Sequence, residues 1–436
     1  MNKAYETYKD SGIEWIGKIP SHWEAIPLRR HISLSKGSKP EDLTDFANGY
    51  PYLTMDYLRG RDGKMILYPA RTDGLELIDN NEIIVLWDGA NAGEFMLSKK
   101  GYLGSTMAKI NVNQERYNKD YFFLLLKSLE QASKDFANGT TIPHFDSSIL
   151  NDYYYPCPPL AEQQAIAAYL DEKCGKVDSL VAELEQQLSD LSDLKKSEIT
   201  RVVTKGLDPN VPLKDSGIDW IGQIPEGWEV RKIKNFLSNE TNNIKVGPFG
   251  SSLSGNDIDT EGVFWVYNQR TVLDDNFIIN NMFVSKEKYN ELISFSVFPG
   301  DILITTRGTI GKVAIVPSEA PKGILHPCVI RFRIDEMKLL KRFLVYIFND
   351  CDIISDQIKY GSNSTTIEVL YSNTLKDLKL PSPPLEEQQA IADYLDAYCS
   401  KIDATISEIK AQIADLKLYK QSLISEAVTG KICVTD

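Results

Sequence analysis

The side chains that most often catalyse reactions or hold metals are few in this sequence and lie far apart. The six cysteines form no C-x-x-C pair, and the four histidines have neither the spacing of metal ligands nor a neighbouring nucleophile. Gly308–Lys312 (GTIGK) lacks the first glycine and the Ser or Thr of a phosphate-binding P-loop. Asp301 has no E-x-K sequence close behind it, and neither Pro-Pro pair follows the Asn or Asp of an adenine methyltransferase motif. The sequence therefore predicts no catalytic site, metal or cofactor in this chain.

Hydrogen bonding to a polyanion or to the edges of bases is a second kind of chemistry that this sequence could provide. Arg270 and Arg307 are the strongest candidates, because each is an arginine among Gly, Thr or Asn residues that indicate a loop. The basic residues considered in the first half of the chain are Arg29, Arg30, Lys36 and Lys39, with Arg59 and Arg61 beside Tyr57. Those in the second half are Lys245, Arg270, Arg307, Lys312, Arg331 and Arg333.

Length and composition limit the classes of protein to which the chain can belong. Its 436 residues suffice for about two to four domains, and its 42% hydrophobic and 25% charged residues are typical of globular proteins. The formal net charge of −13 argues against a large non-specific nucleic-acid clamp, although not against a local basic groove. No apolar run approaches the roughly 18 residues of a membrane span, and the N-terminal MNKAYETYKDSG has no signal-peptide core. We therefore expect a protein of the reducing cytoplasm that does not associate with membranes.

Two sequence blocks occur twice in the chain, in the same order. KDSGIEWIGKIP at Lys9–Pro20 returns as KDSGIDWIGQIP at Lys214–Pro225, with ten of twelve positions identical and a shift of 205 residues. PPLAEQQAIAAYLDEKC at Pro158–Cys174 returns as PPLEEQQAIADYLDAYC at Pro383–Cys399, with thirteen of seventeen positions identical and a shift of 225 residues. A repeat of this size indicates duplication of a domain together with the segment that follows it.

The segment after each Pro-Pro pair is predicted to be one long helix. Its apolar or small residues recur in steps of three and four, which average 3.5 and keep one stripe facing a neighbouring helix. Continued to Val202, the first stripe would be about 54 Å long at 1.5 Å per residue. Such a helix could lie along its own domain, but because both copies keep the same stripe, we favour an antiparallel coiled coil of the two helices. The stripe also includes Cys174 and Cys399. The predicted pairing positions are Ile166, Leu170, Val177, Val181, Leu184, Leu188 and Leu191 in the first helix, and Ile391, Leu395, Ile402, Ile406, Ile409, Ile413 and Leu416 in the second.

Two regions outside the long helices, residues 28–155 and 233–380, have the composition of β-rich domains. They contain the short β-like runs NEIIVLW, MAKINVN, VFWVYN, DILITT, KVAIV and CVIRFRI. YFFLLLKSLEQASKDF and KRFLVYIFNDCDIISDQI are each predicted to form one buried helix. We therefore predict an α+β fold of two tandem globular domains, separated by two long antiparallel coiled-coil helices in a pseudo-twofold arrangement. The predicted segments are 1–157 for the first domain, 158–207 for the first helix, 208–382 for the second domain and 383–436 for the second helix.

Taken together, these motifs resemble the specificity subunits of type I restriction–modification systems. The resemblance rests on the two PPL-x-EQQ-x-I starts of long helices, the repeated opening SGI-x-WIG-x-IP and the two dissimilar domains, and it covers nearly the whole chain. The RG-x-IG sequence that is frequent in these domains occurs at Arg307–Gly311, whereas the first domain has the divergent DGANAG at Asp88–Gly93. The resemblance implies that each domain is a target recognition domain that reads one half of an asymmetric, bipartite site in double-stranded DNA.

The same resemblance implies partner proteins. The repeated helices would set the distance between the half-sites and dock two modification subunits. These subunits would methylate adenine with S-adenosylmethionine, and restriction subunits would translocate and cut DNA with ATP and Mg²⁺. This chain would direct both reactions without being an enzyme itself. The candidate contacts with a partner protein are Glu162, Gln163, Gln164, Glu387, Gln388 and Gln389.

Loops that combine glycine with hydrogen-bonding side chains are the predicted DNA contacts. Arginine can recognise guanine, and Asn or Gln adenine, in the major groove, while other polar groups hold phosphates. The alternative is that these loops are ordinary turns and that the two domains form a protein-interaction scaffold that does not read DNA. The selected residues are Lys36, Ser38, Lys39, Arg59, Arg61, Asn91, Thr140 and Thr141 in the first domain, and Lys245, Ser251, Asn268, Gln269, Arg270, Arg307, Thr309, Lys312, Asn363 and Thr365 in the second.

Overall fold

A computed structural model of the chain describes residues 4–13, 16–47, 49–60, 66–137, 143–152, 154–360 and 369–434. The chain divides into two compact units, Met1–Glu185 with Lys410–Asp436, and Gln186–Ile409. Each unit combines one β-rich domain with part of both long helices.

The first unit contains an α+β domain and the beginning of a long helix. Its strands are β1 (Tyr8–Asp10), β2 (Lys18–Pro20), β3 (Glu24–Pro27), β4 (Ile32–Lys36), β5 (Leu43–Thr44), β6 (Tyr68–Pro69), β7 (Leu77–Ile78), β8 (Ile83–Leu86), β9 (Phe95–Leu97), β10 (Gly101–Tyr102), β11 (Met107–Val112) and β12 (Tyr154–Cys157). Its helices are α1 (Met55–Leu58), α2 (Lys119–Ser128), α3 (Glu130–Ala137), α4 (Ser148–Asn151) and the first part of α5 (Leu160–Lys205).

A four-stranded antiparallel sheet with the order β4-β11-β8-β9 forms the centre of the first domain. All four residues of β8 are buried, because the sheet is covered on both faces. Since side chains alternate between the faces of a strand, Ile83 and Val85 join an apolar cluster with α2 and α5. Ile84 and Leu86 join a second cluster on the other face, around Leu53. The continuous apolar run in the sequence therefore corresponds to a strand that is buried on both sides.

The second unit follows the same plan but contains two four-stranded sheets instead of one. Its strands are β13 (Leu213–Asp215), β14 (Gln223–Pro225), β15 (Glu229–Lys232), β16 (Ile244–Val246), β17 (Phe264–Tyr267), β18 (Phe283–Val284), β19 (Ser296–Val297), β20 (Ile302–Thr305), β21 (Val313–Ile315), β22 (Gly323–Leu325), β23 (Val329–Phe332) and β24 (Lys379–Ser382). Its helices are α6 (Gln269–Leu273), α7 (Lys286–Glu291), α8 (Lys341–Asn349), α9 (Ile353–Tyr360), α10 (Ser372–Asp377) and the first part of α11 (Leu385–Val428).

The central sheet of the second domain repeats that of the first. Its antiparallel order is β16-β23-β20-β21, in which each strand corresponds to a strand of β4-β11-β8-β9. A second sheet, β18-β17-β22-β19, packs beside it and contains one parallel pair, β17 with β22. The two domains thus share one core topology, although their sequences diverge between the repeated blocks.

The repeated opening sequence forms a small antiparallel hairpin in each unit, β1 with β2 and β13 with β14. The tryptophan that follows each hairpin, Trp23 or Trp228, is buried. Trp23 packs beside Gly430, which follows α11, and Trp228 packs beside Gly206, which follows α5. Both glycines have a positive φ, +77° and +75°, so each ends its long helix in the left-handed conformation that glycine adopts easily.

The long helices α5 and α11 are antiparallel within each unit, as predicted. In both units, the partners on α11 have falling residue numbers as the residue numbers on α5 rise. The polar pairs are Lys420–Asp178 (2.6 Å) and Lys417–Glu185 (3.3 Å) in the first unit, and Lys195–Asp403 (2.7 Å) and Tyr394–Glu198 (2.7 Å) in the second.

The apolar side chains of α5 are buried at both ends of the helix and less in its middle, since Ile199 and Val202 near its end are fully buried. Ile166 and Leu170 are fully buried in a cluster that contains both domain residues and Leu423 of α11. Val181 and Leu191, farther along α5, are only partly buried. The two interpretations of the stripe therefore both hold: the helices pack against each other and also against the domain cores.

All six β-like runs contain strands, as predicted, but the prediction of one buried helix in each domain is wrong. The first of these segments divides into α2 and α3, and the second into α8 and α9. Leu129 ends α2 by donating its N–H to the Leu126 and Lys127 carbonyls, while its own side chain remains buried. Cys351, between α8 and α9, is also buried. The apolar pattern continues through both breaks, and the sequence therefore gave no sign of them.

Candidate nucleic-acid interface

Several of the loops that were predicted to bind DNA lie at one end of the two four-stranded sheets in the second unit. β16, β17 and β20 all end there, and each leads directly into one of these loops. We call this surface the second-domain edge and define it as residues 245–252, 268–270, 306–312 and 326–328. Backbone hydrogen bonds that hold it together run from Gly247 to Val329 (3.0 Å), from Thr306 to Cys328 (3.1 Å) and from His326 to Tyr267 (3.0 Å).

Glycine is required at two positions of the second-domain edge. A Cβ atom at Gly247 would lie 2.1 Å from the carbonyl oxygen of His326, so no larger residue permits this approach of two backbone segments. Gly311 has a φ of +87°, in the left-handed region, and packs on Ile354 and Ile358 of α9. The loop that carries Arg307 is therefore fixed against the domain core at its far end.

Arg307 is the cation of this edge that is most available to a ligand. Its side chain is exposed and has no hydrogen-bond or ion-pair partner among the residues that the structure describes. Arg270 is also exposed, but Asp274 accepts from its Nε at 2.9 Å. The ammonium group of Lys245 lies 4.3 Å from the centre of the Phe295 ring. Ser251 and Thr309 are exposed at the same edge.

Two further residues selected in the second domain have their polar groups engaged inside the unit. Asn268 accepts from the Thr271 N–H (3.0 Å) and so caps α6, while its amide nitrogen is directed at the Met282 sulfur. Lys312 donates to the carbonyl of Asn349 at the end of α8. In this structure both side chains therefore hold the domain together, and a DNA contact would require these bonds to break. Gln269 lies against Gly308 in the Arg307 loop.

The corresponding end of the first-domain sheet also gathers predicted loops. We call it the first-domain edge, residues 36–40, 87–93, 104–106 and 143–145. The backbone bonds that hold it together run from Gly37 to Met107 (3.0 Å), from Trp87 to Thr106 (2.8 Å) and from Gly89 to Pro143 (3.1 Å). Ser38, Lys39 and Asn91 are exposed there.

A polar network around Asp88 occupies the centre of the first-domain edge. Lys36 donates to Asp88 at 3.1 Å and also lies over the Trp87 ring. His144 contacts Asp88 through Nδ1, and its Nε2 accepts from the Trp87 indole at 2.9 Å. Because indole can only donate, the proton of neutral His144 is on Nδ1. This edge therefore presents a compensated network of opposite charges and aromatic rings.

The sequence did not single out Trp87, Asp88 or His144 as site residues, although it placed their loops at the interface. The three residues come from segments almost sixty positions apart, so no spacing rule could have joined them. The only signal was a tryptophan and an acid immediately before glycine. Arg59, which was selected, instead pairs with Glu94 at 2.5 Å and is largely buried. Arg61, Thr140, Thr141, Asn363 and Thr365 lie outside the described residues.

The two edges have matching backbones and different side chains. Gly93 and Gly311 both have a φ of +87°, and each closes its loop against a helix, α3 or α9. The DGANAG loop thus occupies the place of the RG-x-IG loop. Counted back from these glycines, Arg307 corresponds to Gly89, and the free guanidinium of one edge has no equivalent in the other. Two ligands with different hydrogen-bonding groups would suit these edges.

Gln163 and Gln388, which we had predicted to contact a partner protein, are fully buried within their units. Each lies near the start of its long helix and bonds to backbone groups of its own domain. Glu162 and Glu387 are also engaged internally, by Tyr5 and His22 and by Trp228 respectively. The prediction of a partner contact is therefore corrected for both glutamines. Gln164 and Gln389, one position later, are exposed.

Several apolar side chains of the long helices face solvent. Leu180 is 49% exposed, Leu194 52%, Leu418 63% and Tyr419 55%. None of the four belongs to the predicted apolar stripe. Single exposed apolar residues are ordinary on a protein surface, and among these four Leu418 and Tyr419 are the pair adjacent in sequence.

Among the described residues, no group of three or more His, Cys, Asp and Glu side chains is placed to hold a metal ion. The described helices include none that is long and apolar enough to span a bilayer.

The fold is that of a duplicated α+β protein with a similar loop-bearing sheet edge in each domain and long antiparallel helices. A family model described as the type I restriction modification DNA specificity domain matches residues 20–190 and 225–415. The chain is 31% identical over 430 residues to the type I restriction enzyme MjaVIII specificity subunit of Methanocaldococcus jannaschii, covering 96% of this chain and 95% of that protein. It is 25% identical over 440 residues to the EcoBI specificity subunit of Escherichia coli, covering 99% and 91% of the two chains.

A solved structure supports the fold. This structure comes from work on the structural basis of complex assembly and conformational transition in the type I R-M system. One of its chains aligns with a TM-score of 0.66 and 16% identity, covering 94% of this chain and 98% of that one. The chain therefore belongs to the family of type I restriction–modification specificity subunits. It is a non-catalytic subunit, because catalysis in these complexes resides in partner subunits.

Proposed function

We propose that each domain reads one half of a bipartite, asymmetric DNA target, with the second-domain and first-domain edges as the two reading surfaces. The observation that carries this proposal is the pair of edges with the same backbone and different side chains. Two half-sites of different sequence suit such a pair, because direct readout depends on which donors and acceptors face the bases. A scaffold that binds two identical partners would instead be expected to present similar side chains at both edges.

The exposed groups suit a polyanion with specific base edges. Arg307 can bond a guanine bidentately or a phosphate, and the exposed hydroxyl groups of Ser251 and Thr309 can bond either. On the first-domain edge Lys39, Ser38 and Asn91 are available in the same way, around the network of Asp88. The net charge of −13 makes a uniform basic surface impossible, so binding would depend on these local groups.

The long helices would have two roles, to set the distance between the half-sites and to dock two modification subunits. Their lengths of 46 and 44 residues correspond to about 69 and 66 Å at 1.5 Å per residue. The exposed Leu180, Leu194, Leu418 and Tyr419 offer the apolar surface for docking. The partners would bring S-adenosylmethionine for adenine methylation, and ATP and Mg²⁺ for restriction, to DNA in the cytoplasm.

Exchange of one recognition domain tests this proposal. β15 and β24 pair with each other at the two ends of the second domain, so residues 233–380 enter and leave at neighbouring strands. Replacing them with the same segment of another specificity subunit should change one half of the methylated sequence and leave the other half intact. Mapping adenine methylation in cells that carry the parent or the exchanged chain measures this. A change in both halves would contradict independent reading by the two domains.

The salt dependence of DNA binding separates DNA readout from the alternative of a protein scaffold. Neutralisation of several phosphates predicts an affinity that falls steeply between about 50 and 200 mM salt. Fluorescence anisotropy of a labelled duplex, with the chain assembled with its modification subunits, measures this. Absence of binding at the lower salt concentration would favour the scaffold.

A further inference from the structure

Phe249 is 86% exposed, although the loop that carries it is held at both ends. On one side Gly247 donates its N–H to the Val329 carbonyl at 3.0 Å. On the other side Leu253 is buried, and its N–H donates to the Phe249 carbonyl at 3.2 Å. The phenyl ring therefore projects from a fixed turn at the second-domain edge.

The surroundings of Phe249 favour DNA as its ligand. The Gly247 backbone packs on His326, and the carbonyl of nearby Cys328 accepts from the N–H of Thr306, which precedes Arg307. The ring thus lies at the same edge as a cation that has no hydrogen-bond or ion-pair partner in the described part of the chain. Gly250 follows it, and a Cβ atom there would meet nothing within 4 Å, so the backbone beside the ring is open to a close ligand.

We propose that Phe249 inserts between two adjacent base pairs of the half-site that the second domain reads. Phenylalanine is one of the apolar side chains that partly unstack base steps and kink the duplex. Flexible pyrimidine–purine steps deform at the lowest cost, so the ring would add a preference for such a step without any hydrogen bond to a base. This inference rests on the proposed function and names a residue that contributes to specificity through DNA shape.

The test uses the full chain assembled with its modification subunits and a duplex that contains the methylated target. 2-Aminopurine replaces adenine at one position at a time in the second-domain half-site, because its fluorescence rises when it is unstacked. We expect a rise at one step with the parent complex and its loss with Phe249→Ala. The variant should bind about 5- to 150-fold more weakly, as for the loss of one base–aromatic stack. Phe249→Trp should retain both binding and signal.

Met337→Ala is the matched control. Met337 is 78% exposed in the same unit, but it follows β23, which begins at the second-domain edge and ends away from it. Its replacement should change neither binding nor fluorescence. The slope of affinity against salt should be equal in the parent and in Phe249→Ala, because no phosphate contact is lost.

Two results would overturn the insertion. One is a Phe249→Ala complex that binds the target and raises 2-aminopurine fluorescence like the parent. The other is a variant that fails to assemble with the modification subunit, which would show that the ring docks on protein. Failure of the proposed function itself would be distinct, because the parent complex would then bind no preferred sequence.

Discussion

Gln163 and Gln388, which are 225 residues apart, make the same three hydrogen bonds in their two units. Gln163 accepts from the Asn118 N–H (2.7 Å) and donates to the carbonyls of Arg116 (2.9 Å) and Pro158 (2.8 Å). Gln388 accepts from the Leu340 N–H (2.8 Å) and donates to the carbonyls of Lys338 (3.1 Å) and Pro383 (2.9 Å). Each buried amide thus joins the start of a long helix to the segment that leads into a domain helix.

This relationship predicts a large loss of stability when either amide is removed. Gln163→Met and Gln388→Met keep the side-chain length but leave buried backbone groups without partners. Such groups cost about 1–3 kcal/mol each, so we expect each variant to lose about 2–4 kcal/mol. Urea unfolding followed by tryptophan fluorescence measures the change in the free energy of unfolding.

The next residue in each helix supplies the control for these glutamine variants. Gln164→Met and Gln389→Met alter exposed amides and should stay within about 0.5 kcal/mol of the parent. Equal losses for the buried and exposed positions would show that the hydrogen bonds do not fix the helix to the domain.

Arg307→Ala is expected to weaken binding of the target duplex about 5- to 150-fold, the equivalent of about 1–3 kcal/mol for one bidentate contact with a base. Arg307→Lys distinguishes two kinds of contact, since lysine can replace arginine at a phosphate but not in a bidentate bond. Lys286→Ala removes the same charge from an exposed position that follows β18, away from the second-domain edge. If Arg307→Ala and Lys286→Ala lose the same affinity relative to the parent, Arg307 contributes only its charge.

Cysteine labelling provides a test that needs no substitution. Cys328 lies at the second-domain edge and is partly exposed, so we expect target DNA to slow its alkylation in the assembled complex. Cys433 belongs to the first unit and should react at an unchanged rate. Burial raises the pKa of the Cys351 thiol to about 12, so this thiol should react only after unfolding. Mass spectrometry of the labelled peptides measures all three rates, and an unprotected Cys328 would place the DNA elsewhere.

The sequence predicted the elements whose information is local or repeated. The Pro-Pro pairs marked where α5 and α11 begin, and β-branched runs such as Ile83–Leu86 marked strands. Contacts over long separations could not be predicted in this way. The partner of Arg59 is Glu94, and nothing in either segment indicates the pair. The buried state of Gln163 depends on backbone groups of another segment, so its polar side chain suggested a surface position instead.

The length of the paired helices should determine the spacing of the DNA half-sites. Lys195 of α5 pairs with Asp403 of α11, so in this antiparallel pair Leu191 lies at the level of about residue 407. Inserting one heptad after Leu191 and one after Ile406 keeps both stripes in register and lengthens the pair by about 10.5 Å at 1.5 Å per residue. At 3.4 Å per base pair, we expect about three additional base pairs between the half-sites.

Methylation mapping with the lengthened chain decides whether the helices act in this way. Both half-site sequences should remain as in the parent, because the insertions leave the two edges unchanged. The same heptad inserted after Leu191 alone displaces Asp403 from Lys195 and shifts the stripe of one helix against the other, so this variant should lose stability. A stable double insertion that methylates the parental spacing would show that something other than helix length sets the distance, such as the modification subunits.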